Sequence, residues 1–148
     1  MNRVTKTSAW LGIWLFIASA LAIFPGAAAA AQSLNIHIQS DSGGSPPGEL
    51  VLTDPSGDRT DPEARDIHLL NPMSGFYNLR IIGLKTGVYT LFLKAYGESG
   101  GTADVRFPHM TIKDGEVHHY DVKFSAEGPK LDVRRTRITP LQSLNRRR

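Results

Sequence analysis

The chain of 148 residues contains no cysteine. That excludes disulfides, thiolate metal centres, cysteine nucleophiles and a lipidated cysteine anchor, so packing alone must hold the fold. The spacings on which common chemistries depend are missing as well. There is no His-Glu-x-x-His pair for a catalytic zinc, no phosphate-cradling glycine loop and no dinucleotide fingerprint. Gly-x-Ser-x-Gly is absent, and serines such as Ser56, Ser74 and Ser99 lie in turn-forming contexts instead of a nucleophile elbow. Beyond residue 30, no stretch carries the 3.6-residue apolar period of an amphipathic helix.

Acidic residues are also missing from the first thirty positions. Arg3 and Lys6 precede an uncharged apolar run from Ala9 to Phe24, then Pro25-Gly26 and the small residues Ala27 to Ala31. A basic start, an apolar helix, a breaker and small residues are what an export signal requires. Cleavage before Ala31 or before Gln32 satisfies the small-x-small rule equally. The alternative is an uncleaved anchor that tethers the same domain on the same side of the membrane. The organisation expected is a signal peptide over 1–30, one domain over 31–128 and a basic, partly disordered C-terminal tail over 129–148. The expected location is periplasmic or secreted.

Charge is divided along the chain. Residues 31–128 hold 8 Lys/Arg against 13 Asp/Glu, a net of −5, whereas 129–148 hold 7 Lys/Arg against the lone Asp132, a net of +6. The overall pI near 9.4 therefore describes a mildly acidic domain carrying a basic end.

The domain reads as short strands. Leu34, Ile36 and Ile38 alternate with Asn35, His37 and Gln39, the period of a half-buried strand. A turn-rich connection, Asp41 to Gly48, leads to a strand at Glu49–Thr53, then to the turn Asp54-Pro-Ser-Gly-Asp58 and a weaker strand at Asp66–Leu70. Gly-x-Tyr-x-Leu occurs twice, at Gly75–Leu79 and Gly87–Leu91, each opening a run of β-branched and aromatic residues. The short connector Gly83–Gly87 predicts a hairpin between them. Ala103–Lys113 predicts a strand broken by an edge or bulge at Pro108. In Glu116–Ser125, His118, Tyr120, Val122 and Phe124 alternate toward the core, and Leu131–Ile138 adds a last edge strand. About seven strands separated by turns indicate an all-β, antiparallel sandwich of Ig-like or transthyretin-like type following the N-terminal signal helix.

Leu52-Thr-Asp-Pro55-Ser-Gly57, followed by Asn71-Pro72-Met-Ser-Gly75-Phe-Tyr77-Asn-Leu79-Arg-Ile81-Ile-Gly83, resembles a pattern of extracytoplasmic bacterial Ig-like sandwich modules. The resemblance spans Leu50 to Gly97. It implies a fold in which glycine makes the turn and tyrosine and leucine fill the core, and it transfers no functional residue.

Three sets of polar residues suggest sites. Asp54, Ser56, Asp58 and Thr60 alternate oxygens as the start of a calcium loop would, but Arg59 and Arg65 stand where glycine and a bidentate glutamate belong. A looser metal site would draw on Asp54, Asp58, Asp61 and Asp66. Of the five histidines, neighbours His118 and His119 point to opposite faces and cannot share an ion. A cross-strand pair such as His37 with His119, or a copper site of His109, Met110 and Met73, depends on how the strands and loops converge. Finally Arg134, Arg135, Arg137, Arg146, Arg147 and Arg148 form candidate contacts to anionic membrane or lipopolysaccharide. The tail lacks aromatics for base stacking, and nucleic acid is not an expected partner. These readings converge on a non-enzymatic, exported binding module of the bacterial envelope, partnered by an envelope protein or polysaccharide and needing no cofactor. The alternatives are a small calcium, copper or zinc protein, and less favourably a small hydrolase using two carboxylates among Glu49, Glu63, Glu98, Glu116 and Glu127.

Overall fold

A computed structural model describes residues 31–60 and 64–141. The export segment, Asp61 and Arg146–Arg148 lie outside the described residues. Eight strands follow in order: β1 (Ser33–Ser40), β2 (Gly48–Thr53), β3 (Asp66–Leu70), β4 (Gly75–Gly83), β5 (Gly87–Tyr96), β6 (Thr102–Ile112), β7 (Glu116–Ser125) and β8 (Lys130–Pro140). Eight strands accord with the expected sandwich of about seven, and the segment 129–148 supplies the whole of β8. Two antiparallel four-stranded sheets result, the first in the order β3-β1-β5-β6 and the second β2-β4-β7-β8. They pack face to face as a sandwich.

Alternation along the strands builds the core directly. Leu34, Ile36 and Ile38 of β1 and Leu91 and Leu93 of β5 meet Leu50, Leu52, Leu79, Ile81, Val122 and Phe124 of the opposing sheet, all essentially inaccessible. Tyr77, Tyr89 and Tyr120 are buried with them, each with its hydroxyl satisfied: Tyr77 donates to the Met73 carbonyl at 2.7 Å, and Tyr89 lies 2.9 Å from Tyr120 Oη and 2.8 Å from His118 Nδ1.

The expected hairpin at Gly83–Gly87 does not form. Strands β4 and β5 lie in different sheets, and their connector is an arch whose Leu84 N–H donates to the Pro47 carbonyl at 2.9 Å. Period-2 alternation marks which side of a strand is apolar. It does not say whether two such strands lie side by side or face each other across the core, and here Tyr77, Leu79 and Ile81 face Tyr89, Leu91 and Leu93. True hairpins join β5 to β6 and β7 to β8.

The two sides of the sandwich differ. On one side, the segment before β3 stitches the sheets together: Leu50 N–H donates to the Ala64 carbonyl at 2.8 Å, and Ile38 N–H to the Arg65 carbonyl at 3.2 Å. On the other, edge strands β6 and β8 stand next to each other without a backbone hydrogen bond between them among the described residues. Pro108 and the positive-φ His109 interrupt β6 there, where the β5–β6 register shifts. An edge strand tolerates this because a missing N–H breaks no ladder.

Candidate functional site

Residues directly opposite each other on paired strands share a sheet face. The register therefore reads off the outer face of the second sheet. Arg80 on β4 pairs with His119 on β7, which pairs with Arg137 on β8; in the next row Asn78 pairs with Asp121, and Asp121 with Arg134. Arg134 and Arg137 are three residues apart and would occupy opposite faces of a regular strand. A bulge brings them together, because Tyr120 pairs with Arg135 and His119 with Arg137, leaving Thr136 as the extra residue. The Thr136 hydroxyl donates to the His119 carbonyl at 3.4 Å at that point. Arg135 takes the opposite parity, beside Tyr120. Past the end of β2, an isolated bridge pairs Thr53 with Arg59 and so adds a further guanidinium to the same outer face.

These cations differ in their surroundings. Arg134 is an exposed side chain held by Asp132, 3.1 Å away. Arg80 is partly buried without a carboxylate partner among the described residues; burial first, and then the charge of Arg59, disfavour its protonated form. His119 is 2% exposed, with Nε2 2.9 Å from Thr139 Oγ1 and Nδ1 without a hydrogen-bond partner among the described residues. Burial, and then Arg137 and Arg80, hold its titration below the ordinary histidine range, against an opposing pull from Asp121. Alongside runs a shallow groove of about 310 Å³ lined by Phe76, Asp121, Lys123, Asp132 and Arg134.

The remaining sequence candidates disperse. Asp54 and Asp58 share one turn, but Asp54 Oδ1 is occupied by that turn, accepting from Ser56 N at 2.9 Å, Ser56 Oγ at 2.7 Å and Asp58 N at 2.9 Å. Asp66 lies on the outer face of the first sheet, 2.6 Å from His37 Nδ1, and so does not join them. His37 and His119 occupy the outer faces of different sheets and cannot chelate together. Met73 stands beside Tyr77 near the start of β4, whereas His109 bonds Asp41 Oδ2 at 2.6 Å near the start of β5, so the copper trio does not converge either. Among the described residues no three metal-ligating side chains cluster.

On the first sheet, Asp41 also accepts from Thr90 Oγ1 at 2.7 Å, which, before the effect of His109, lowers its carboxyl below the usual range. Arg106 and Lys94 lie over the rings of Phe92 and Tyr96, at 5.1 Å in each case, so this face covers its own aromatics. The sequence singles out Arg134, Arg135 and Arg137 as basic candidates, whereas Arg80 and Arg59 join their face only through strand pairing. Scans against family models and searches of curated proteins and of solved structures return no match for this chain.

Proposed function

We propose that the protein is an exported, non-enzymatic binding module of the bacterial envelope that docks on anionic membrane or lipopolysaccharide through the outer face of its second sheet and strand β8. One observation carries the reading: the bulge at Thr136 gathers Arg134 and Arg137 onto the face that already holds Arg80. An exposed edge strand bearing arginines is also shielded from pairing with other strands, so the same residues keep the module soluble until it meets its surface. The mildly acidic remainder of residues 31–128 favours one orientation, with the basic face toward the anionic layer.

Contacts of this kind are mainly Coulombic. Retention of the full chain on anionic vesicles or lipopolysaccharide should fall steeply as salt rises from physiological strength, where the Debye length is about 8 Å, toward 1 M, where it is about 3 Å. Replacing Arg134, Arg135 and Arg137 together by glutamine should weaken retention severalfold. A second triple variant at Arg146, Arg147 and Arg148 measures the share of the terminal arginines. Equal retention of all forms, or equal retention on zwitterionic vesicles, would overturn the reading.

A further inference from the structure

We infer that Arg80 and Arg137, flanking His119, with Arg59 reinforcing Arg80, form a discrete site for a phosphate-type oxyanion on the outer face of the second sheet. The inference deepens the docking reading and rests on it for the site's surroundings, but it concerns side chains that diffuse surface attraction does not require. Neighbouring strands lie about 4.8 Å apart, so Arg80 and Arg137 flank His119 at about that spacing on either side. Guanidinium arms of that length can close over a single anion centred above the imidazole. Arg59, bridged to Thr53 a strand further out, adds its positive charge to that of Arg80.

Two features mark this row as built for a ligand. First, Arg80 is partly buried and within electrostatic reach of Arg59, yet no carboxylate pairs with Arg59, Arg80 or Arg137 among the described residues. Burying one cation near another is unfavourable unless an anion completes the arrangement. Second, His119 Nδ1 is the only buried polar side-chain atom of this face, among the described residues, without a hydrogen-bond partner, and orphaned buried groups are rare without a reason. Asp121 on β7 acts on His119, and Glu49 on β2 lies on the same face; neither makes an ion pair there among the described residues. The surplus of positive charge suits a tetrahedral dianion with several acceptor oxygens better than a planar carboxylate, and the arginine fork matches phosphate oxygens in pairs.

The test is titration of the isotope-labelled full chain with inorganic phosphate at constant ionic strength, followed by NMR at the Arg80 and Arg137 Nε–H groups and the His119 ring. Saturable shifts are expected, with acetate at least tenfold weaker, and with Arg80→Gln and Arg137→Gln each weakening phosphate at least tenfold. Arg137 is exposed on an edge strand, so its variant reports on the site even if Arg80→Gln fails to fold. Shifts that never saturate, that acetate reproduces, or that survive in Arg137→Gln would overturn the site. Competition by vesicles carrying a phosphomonoester headgroup assigns the anion to a lipid, whereas failure to compete assigns it to free phosphate. Arg134→Gln with Arg135→Gln should reduce vesicle retention and leave the phosphate titration unchanged. Loss of the docking reading therefore appears in retention, and loss of the site in the titration.

Discussion

Adjacent histidines on β7 enter opposite environments. His118 sits inside the sandwich against Tyr89, 3.6 Å from a Glu116 carboxylate too distant to accept a hydrogen bond. Burial, despite Glu116 and with help from Arg135, holds its titration below the ordinary 6.5. A base whose folded value is lowered binds fewer protons folded than unfolded as pH falls. Its contribution is therefore intact above about 6.5 and is lost as pH drops from there toward the lowered native value; His119 shifts in the same direction. Melting temperature should accordingly fall on acidification below pH 6.5, and His118→Phe should flatten that fall. A slope identical in the variant would assign the acid sensitivity elsewhere. Tyr89→Phe removes the hydroxyl that joins His118 to Tyr120 and should cost about 1–3 kcal/mol in denaturant unfolding. Gly83 offers a third single-residue test, since an added Cβ would overlap the Lys113 carbonyl oxygen and crowd Ile112. Gly83→Ala should destabilise by about 3 kcal/mol, the upper part of the range for overpacking.

At the scale of single elements, β5 and β8 make contrasting cases. Leu91 is fully buried in the middle of β5, and Leu91→Ala should cost about 2–5 kcal/mol; a denaturation midpoint unchanged within error would displace the strand register. In β8, deleting Thr136 should leave a regular ladder in which Arg134 and Arg137 keep their face. Stability within about 1 kcal/mol of the parent and undiminished vesicle retention are expected, because surface changes of this kind are small; without a bulge there, the deletion would flip Arg137 to Pro140 and unseat the Thr139 contact to His119. Strands β4, β5, β7 and β8 differ in how much of their placement is legible from sequence. Alternation placed Tyr120, Val122 and Phe124 inside, and all three are buried, as are Tyr77, Leu79, Tyr89 and Leu91 of the two Gly-x-Tyr-x-Leu units. It missed the arch between β4 and β5, since parity carries no information about which sheet a strand joins. It also missed the row Arg80–His119–Arg137, which exists only once β4, β7 and β8 are neighbours and a bulge has shifted the register by one residue.

Over the whole molecule, the order of the strands in the sheets governs the order in which the fold can be completed. Among the described strands, only the β5–β6 and β7–β8 pairings join strands that follow each other in the chain; β1 lies between β3 and β5, and β4 pairs with β7 as well as β2. Whenever this chain emerges N-terminus first, β1 is made early and stays without its inner neighbour until Tyr96 has appeared, and β4 waits until Ser125. Loop-closure entropy must be spent before such distant pairings return anything, which slows folding and prolongs the exposure of unpaired strands. The β5–β6 and β7–β8 hairpins can each close locally once made, and so present β5 to β1 and β7 to β4. The apolar strand Ser33–Ser40, the first described strand to emerge and late to gain its inner neighbour, is thus the segment most in need of protection while the rest of the chain is made.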